Sequence, residues 1–377
     1  MKILVYSHDA AFYGAPRAVF ELTERLKYRH NIIYVIPESG PFEKILKEHG
    51  YDYHIHPNPL WISSVREQGY SRWYFFKHIV KTFCLFIIAM IDAYKKNKAL
   101  IRKIKPDMIF VNTSTAPVGL YVAKNLKIKS VLWTHESICN KNGLCVPTFF
   151  PKQYVAKVFN KADLIICPSQ FLKSHIEKTF GISRVQVLAN PIGFVPSETE
   201  YEGEYTFGIV GYLSERKGQL EFFKSMLANM PKAKLAVFGD GTNDYAQELK
   251  KMAERYPDNI KLFGYESNPD VIYSTFNIYV NMGIDETFGR TTVEAMRAGK
   301  LVFGRRSGAT PEIIKNGENG FLFDNVDEIF EVLQKHSGKD EFLNRIRQQG
   351  QKDSLQFEPQ EISNKFIEIL NEQNLVL

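Results

Sequence analysis

Ile278-Tyr279-Val280-Asn281-Met282-Gly283-Ile284-Asp285-Glu286-Thr287-Phe288-Gly289-Arg290-Thr291-Thr292-Val293-Glu294-Ala295-Met296 passes from strand to loop to helix. Ile278–Asn281 is a short apolar run of strand length. Glu286 falls in the strand-to-helix loop, and Glu294 about a turn and a half into the helix. Gly289 lets backbone come close to a ligand. The N–H groups of Phe288 to Thr291 lack partners within the helix and favour an anion such as phosphate. Arg290 in the first turn is mildly disfavoured by the helix dipole unless an anion is bound. Arg290 and Glu294 are four apart, share a face and can pair. Capping plus a surface ion pair is the plain alternative.

Working outward, the same alternation recurs on both sides. Downstream of residue 205, Thr206–Val210, Lys234–Phe238, Ile260–Phe263 and Leu301–Phe303 read as further strands. Helices start near Lys217, Asn243, Pro269, Gly289 and Asn325. Upstream, Lys2–Ser7, Asn31–Ile36, Asp107–Asn112, Ser130–Thr134, Leu164–Cys167 and Gln186–Leu188 are apolar runs separated by helical segments, the first being Pro16–Lys27. Continuous apolar runs between helices imply a parallel sheet covered on both faces. Asn190-Pro191-Ile192-Gly193 breaks the pattern, and the polar stretch Ser197 to Tyr205 comes next. The expected organisation is a domain at 1–197, a second at 205–356, and a C-terminal helix at 357–377 packing back towards the first. In open α/β sheets ligands bind outside the carboxyl ends of the strands. Two such domains facing each other make a cleft.

The chain has 377 residues, 44% hydrophobic and 24% charged, which excludes disordered and collagen-like classes. Its net +6 hides an asymmetry. Residues 1–195 hold 27 Lys/Arg against 13 Asp/Glu, +14, and the rest is −8. Cys84, Cys139, Cys145 and Cys167 are too few and scattered for a disulfide framework. They suit free thiols in a reducing cytoplasm. The N-terminus reads as a buried strand rather than a signal peptide. The longest uncharged apolar run, Thr82 to Ile91, is half of what a spanning helix needs.

The window around the two glutamates continues as Gly299, Val302-Phe303-Gly304, Gly308, Glu312-Ile313-Ile314 and Asn316-Gly317-Glu318-Asn319-Gly320-Phe321-Leu322. With Gly211-Tyr212-Leu213-Ser214-Glu215-Arg216-Lys217-Gly218, Phe238-Gly239-Asp240-Gly241 and Leu262-Phe263-Gly264-Tyr265 upstream, it resembles the donor-binding half of retaining glycosyltransferases of family 4. Residues 1–195 resemble the other half more loosely, through Tyr13-Gly14-Ala15-Pro16, Trp133-Thr134-His135-Glu136 and Ala162 to Pro191. The resemblance implies the GT-B fold, two Rossmann-like domains with a nucleotide sugar in the cleft. It places Glu294 on the ribose hydroxyls, Glu286 on the donor sugar hydroxyls and Lys217 on the diphosphate. Tyr212 stands where the family usually has an arginine. Either Arg216 or Arg290 supplies that charge, or Lys217 and the helix N-terminus hold the diphosphate alone.

Departure of a diphosphate is stabilised by cations and N–H groups without a metal. No Asp-x-Asp pair stands at a convincing strand end, and His54 and His56 lack further ligands, so no metal site and no cofactor is assigned. No residue stands out as a nucleophile; the resemblance implies retention by front-face attack, the leaving phosphate oxygen taking the acceptor proton. His135 follows a strand; by resemblance it faces the donor sugar and orients it or the acceptor. A satisfied loop histidine is the alternative. Glu136 leans to support. Gly14 at the first strand-to-helix turn can approach the donor, with Pro16 suited to the first helical position. Candidate catalytic residues are His135, Glu286 and Lys217. Candidate donor-binding residues are Gly14, Arg216, Lys217, Glu286, Phe288, Gly289, Arg290, Thr291 and Glu294. Rival readings are an epimerase on the same fold and a non-catalytic sugar-nucleotide-binding or scaffold protein.

Arg72 to Lys105 carries nine Lys/Arg and one acid, Asp92, interleaved with aromatic and aliphatic residues. A helix of this kind suits an anionic bilayer surface. A helix buried against the sheet is the alternative. Trp73, Lys77, Lys81, Lys95 and Lys96 are the candidate membrane contacts. No reader motif for nucleic acid is present. The expected partners are a nucleoside diphosphate sugar, a glycan or polyprenyl-linked acceptor of envelope polysaccharide synthesis, and an anionic inner-leaflet surface.

Overall fold

The structure is a computed structural model and describes residues 1–61, 72–139, 152–197 and 205–375, side chains 72–82 and 152 excepted. The chain forms two compact units, Met1–Pro191 with Pro359–Leu377, and Ile192–Glu358.

The first unit contains β1 (Lys2–Tyr6), α1 (Gly14–Leu26), β2 (Asn31–Ile36), α2 (Pro41–Glu48), β3 (Asp52–Ile55), α3 (Arg72–Ile104) and β4 (Met108–Asn112). It continues through α4 (Val118–Leu126), β5 (Lys129–Trp133), α5 (Lys152–Phe159), β6 (Leu164–Cys167), α6 (Gln170–Phe180) and β7 (Val185–Val187). The strands form one parallel sheet in the order β3-β2-β1-β4-β5-β6-β7. Leu4, Tyr6, Ile109 and Val111 bury into one face; Ile3, Val5, Met108 and Phe110 bury into the other. Both faces are therefore dry, which is why these strands read as unbroken apolar runs. The direction of chain winding reverses between β1 and β4, and loops at the carboxyl ends diverge there.

The second unit contains β8 (Thr206–Val210), α7 (Gln219–Asn229), β9 (Lys234–Phe238), α8 (Asp244–Arg255), β10 (Ile260–Gly264), α9 (Pro269–Tyr273) and β11 (Ile278–Asn281). It continues with α10 (Arg290–Arg297), β12 (Leu301–Arg305), α11 (Thr310–Ile313), β13 (Phe321–Phe323), α12 (Glu328–Lys335) and α13 (Asp340–Ser354). Its parallel sheet has the order β10-β9-β8-β11-β12-β13, with the reversal between β8 and β11. Caps fix helix starts: the Asn243 side chain accepts from Ala246 N at 2.8 Å at the head of α8. Lys217, expected at a helix start, lies in a short 3-10 turn, Glu215–Lys217. Gly218 follows in the left-handed region and α7 begins after it.

The last helix, α14 (Pro359–Glu372), belongs to the first unit. Its apolar stripe, Ile362, Phe366 and Leu370, is buried, and the Phe366 ring lies 5.5 Å from that of Phe110. Burying such side chains contributes about 1.5–3 kcal/mol each.

The seam falls at Pro191/Ile192, ahead of the polar stretch at Ser197–Tyr205, of which residues 198–204 lie outside the described ones. The physical reason is Arg297. This residue at the end of α10 is 4% exposed, and its guanidinium donates to Ile192 O at 3.2 Å and Phe194 O at 3.4 Å. It also donates to Ser354 O at 2.6 Å and Ser354 Oγ at 3.2 Å. Residues 192–194 are thereby held to the second unit.

The N-terminal half of α3 carries Trp73, Lys77 and Lys81, whose side chains lie outside the described residues. Further along, Leu85, Ile88 and Ile91 are exposed, as are Lys95 and Lys96. Lys96 pairs with Asp92 at 2.7 Å. Ala93, Leu100 and Ile101 on the opposite side are buried in the sheet's core. One side of this helix packs, and the other is an exposed apolar stripe. Among the described residues no helix is long and apolar enough to cross a membrane.

Candidate active site

In the second unit the loops after β8 and β11 leave the sheet at its reversal point. Asn281 ends β11, and its side chain pins the next loop and helix. Its Oδ1 accepts from Gly283 N at 2.9 Å, and its Nδ2 donates to Thr292 Oγ1 at 2.9 Å. Strand end, loop and helix are thus tied together. Ile284 N donates to Arg216 O at 3.0 Å, joining this loop to the one after β8. A third loop, after β12, closes on it through Ala309 N, which donates to Glu286 O at 2.8 Å.

That closure explains why a glycine stands at 308. Gly308 has φ +61°, and a Cβ there would lie 2.4 Å from Glu286 N and O. Only glycine lets the two backbones approach this closely.

Held this way, Glu286 accepts a hydrogen bond from Lys217 Nζ. The two side chains are 12% and 18% exposed, so the pair is largely sheltered but open on one side. Burial acts to raise the Glu286 pKa, but the charges of Lys217 and Arg216 outweigh it. They hold the carboxyl below the usual carboxylate range. Arg216 itself donates to Ile284 O at 3.4 Å.

Gly289 precedes α10 with φ +96°. Arg290 Nε donates to Glu294 Oε1 at 2.9 Å, and Tyr273 OH donates to Glu294 Oε2 at 2.9 Å. Glu294 is 5% exposed, so this carboxylate is fixed rather than a mobile surface group. Thr291 is held by Tyr279, hydroxyl to hydroxyl at 2.6 Å. Phe288 turns inward against the Phe357 ring, 5.5 Å between centroids, so only its backbone is available to a ligand. Lys217, Glu286 and the head of α10 carrying Arg290 and Glu294 are thus organised by one strand end. Tyr212 is 56% exposed. Ser307 Oγ accepts from Asp285 N at 3.0 Å. Tyr273 and Ser307, which support this loop, carried no signal in the sequence.

In the first unit the reversal point gathers a second polar group. Gly14 opens α1 with φ +51°, two residues before the Pro16 start expected from sequence. Glu136, in the loop after β5, accepts from Thr113 Oγ1, from Ser114 Oγ at 2.8 Å and from Ser114 N at 3.3 Å. It is a tie between the β4 and β5 loops, the supporting reading. Burial acts to raise its pKa, and His135, His8 and the hydroxyl donors outweigh that and lower it. Thr113, at φ +102°, is strained there for a β-branched residue. His135 Nε2 lies 2.9 Å from Asn112 Oδ1, and the Trp133 ring stands 4.8 Å from the imidazole. His8, after β1, has its Nδ1 buried without a hydrogen-bond partner. Sequence reading missed His8, and also Asn112 and Thr113, whose partners His135 and Glu136 lie far along the chain.

Burial pushes the pKa of both His8 and His135 down, with Glu136 opposing it in each case. The unfolded chain takes up these protons from about pH 6.5 downward, and the native state does not until lower pH. The unfolded state therefore binds more protons in that window. The stability contribution is complete above pH 6.5 and is lost progressively below it. All three tryptophans lie in the first unit, so their fluorescence reports its unfolding. The urea midpoint should drop between pH 7.5 and pH 5.5; an unchanged midpoint would contradict this burial.

Two family models match in adjoining blocks. "Glycosyltransferase Family 4" covers residues 12–193 and "Glycosyl transferases group 1" covers residues 194–353. An uncharacterized glycosyltransferase of Methanocaldococcus jannaschii, MJ1178, is 26% identical over 286 residues, 71% of this chain and 76% of that protein. The alpha-monoglucosyldiacylglycerol synthase of Acholeplasma laidlawii is 22% identical over 272 residues, 62% of this chain and 67% of that one. The crystal structure of Anabaena HepE with UDP superposes with a TM-score of 0.78 at 19% identity, covering 99% of this chain and 100% of that one. HepE was also solved with UDP-glucose. The two doubly wound sheets share the fold of these GT-B proteins, and the chain belongs to glycosyltransferase family 4.

Proposed function

We propose that this glycosyltransferase moves a hexosyl group from a nucleoside diphosphate sugar to a glycan or polyprenyl-linked acceptor of envelope polysaccharide synthesis. Configuration is retained and no metal takes part. One observation carries the reading: at the second sheet's reversal point Lys217 pairs with Glu286 in the loop after β11, and Arg290 pairs with Glu294 on the helix that follows. The UDP and UDP-glucose complexes of HepE support a nucleotide-sugar donor.

Glu294 accepts from the ribose hydroxyls and Glu286 from the sugar hydroxyls. Lys217, Arg216 and the N–H groups at the head of α10 face the diphosphate. A diphosphate drawing Lys217 away from Glu286 leaves that carboxylate open to the sugar. The acceptor oxygen bonds to the anomeric carbon on the face from which the phosphate oxygen departs. The acceptor proton passes to that phosphate oxygen. The chain works at the inner leaflet, with the exposed stripe of α3 and Lys95 and Lys96 against anionic lipid.

A thermal-shift screen against UDP, GDP, dTDP and their sugars tests donor binding, since a site-specific ligand raises the melting temperature by mass action. No shift with any of them would sink the donor reading. Proton NMR of the product then reads its anomeric configuration, and turnover surviving a chelator tests metal independence. Co-sedimentation should be strong with anionic vesicles and weak with neutral ones. Ile88→Glu should reduce it. Equal pelleting with both, or with neither, would remove the membrane part.

A further inference from the structure

Asn112 ends β4 and stands in register with Trp133, so its amide lies beside the loop that carries His135. It is fully buried. Its two amide ends meet different partners. Nδ2 is 2.8 Å from Ala15 O, and Oδ1 is 2.9 Å from His135 Nε2. A backbone carbonyl only accepts, so the end facing Ala15 must be the NH2 group. The oxygen then faces the ring, and an amide oxygen also only accepts. Nε2 must therefore carry a hydrogen. A neutral imidazole has one N–H, so Nδ1 is left as a bare lone pair. Among the described residues Nδ1 has no hydrogen-bond partner.

The titratable neighbours are Glu136 on the same loop and His8 after β1. Glu136 is occupied by Thr113 and Ser114. Burial holds the ring neutral against Glu136.

We propose that Asn112 is a positioning residue that fixes His135 as the Nε2–H tautomer, so that His135 meets its ligand as a hydrogen-bond acceptor through Nδ1. The ligand group is then a hydroxyl of the donor sugar or the acceptor. A phosphate oxygen is excluded, because it offers no proton to a lone pair. This rests on His135 facing substrate, as proposed above, and it specifies which substrate atoms it meets. The Gly14–Ala15 turn joins the same network, because Ala15 O sets the orientation of the amide.

The test is long-range proton–nitrogen NMR on the full chain with labelled histidine, His135→Gln identifying the resonance. The native protein at pH 7.5 should show a protonated Nε2 and a bare Nδ1. Asn112→Ala should give mixed tautomers and lower kcat roughly 10- to 100-fold, the scale of lost outer-shell partners. Asn112→Asp should raise the acidic limb of the pH–rate profile, since a carboxylate favours the protonated ring. An Nδ1–H tautomer in the native protein would overturn the inference. So would Asn112→Ala with tautomer and rate unchanged. The tautomer readout needs no turnover, so it separates failure of this inference from failure of the transfer reading.

Discussion

Glu286→Gln should leave the chain folded and lower glycosyl transfer by roughly 100- to 1000-fold, the scale of losing one preorganised electrostatic contact. The substitution keeps shape and an oxygen that still accepts from Lys217 Nζ, the partner seen in the structure. Its effect is to remove charge. Lys217 and Arg216 hold Glu286 ionised. A carboxylate accepts more strongly from sugar hydroxyls than a neutral amide does. The glutamine also leaves the Lys217 charge uncompensated, which alters its grip on the diphosphate. The loss should sit mainly in kcat, because Glu294 is the residue given to the nucleotide. Steady-state kinetics with the donor found by the thermal-shift screen checks this. Turnover within a few-fold of native would remove Glu286 from the mechanism.

Arg297→Met should destabilise the second unit by about 4 kcal/mol or more, because four buried acceptors lose their donor. The methionine fills similar space, so packing loss is small. The cost arises at the abandoned acceptors: Ile192 O, Phe194 O, Ser354 O and Ser354 Oγ lose their donor. Each buried unpaired group costs about 1–3 kcal/mol. The second unit holds no tryptophan, so fluorescence is the wrong probe for it. Hydrogen exchange resolved by peptide should show α10, α13 and residues 192–194 losing protection, with β1 and β4 largely unchanged. Native-like exchange in α10 and α13 would show that the buried guanidinium is dispensable.

The parallel sheets were legible because strands buried on both faces are continuous apolar runs. β13, only three residues long, was not. The second unit's site was legible because both glutamates fall in one linear segment, eight residues apart. The first unit's was legible only in part: Gly14, His135 and Glu136 stood out, but His8, Asn112 and Thr113 did not, because they come from strand ends far apart in sequence. Asparagine and threonine at those ends look like ordinary turn residues until the fold brings Asn112 to His135. The seam was drawn too far downstream because composition marks polar stretches. The actual hold on 192–194 comes from far along the chain: the buried Arg297, Phe357 O accepting from Ile192 N at 2.7 Å, and the Tyr273 ring against Phe194.

We propose that the loop-to-helix turn of the second unit holds a nucleoside diphosphate through Glu294. In Glu294→Ala, Tyr273 OH keeps Thr291 O as an acceptor at 3.1 Å, so the helix should stand. Isothermal titration calorimetry of the native chain with UDP, GDP and dTDP should identify one that binds. Charge-assisted hydrogen bonds contribute about 1.5–3 kcal/mol each, so losing the ribose contacts should raise Kd roughly 100-fold or more. An unchanged Kd in Glu294→Ala would contradict the account.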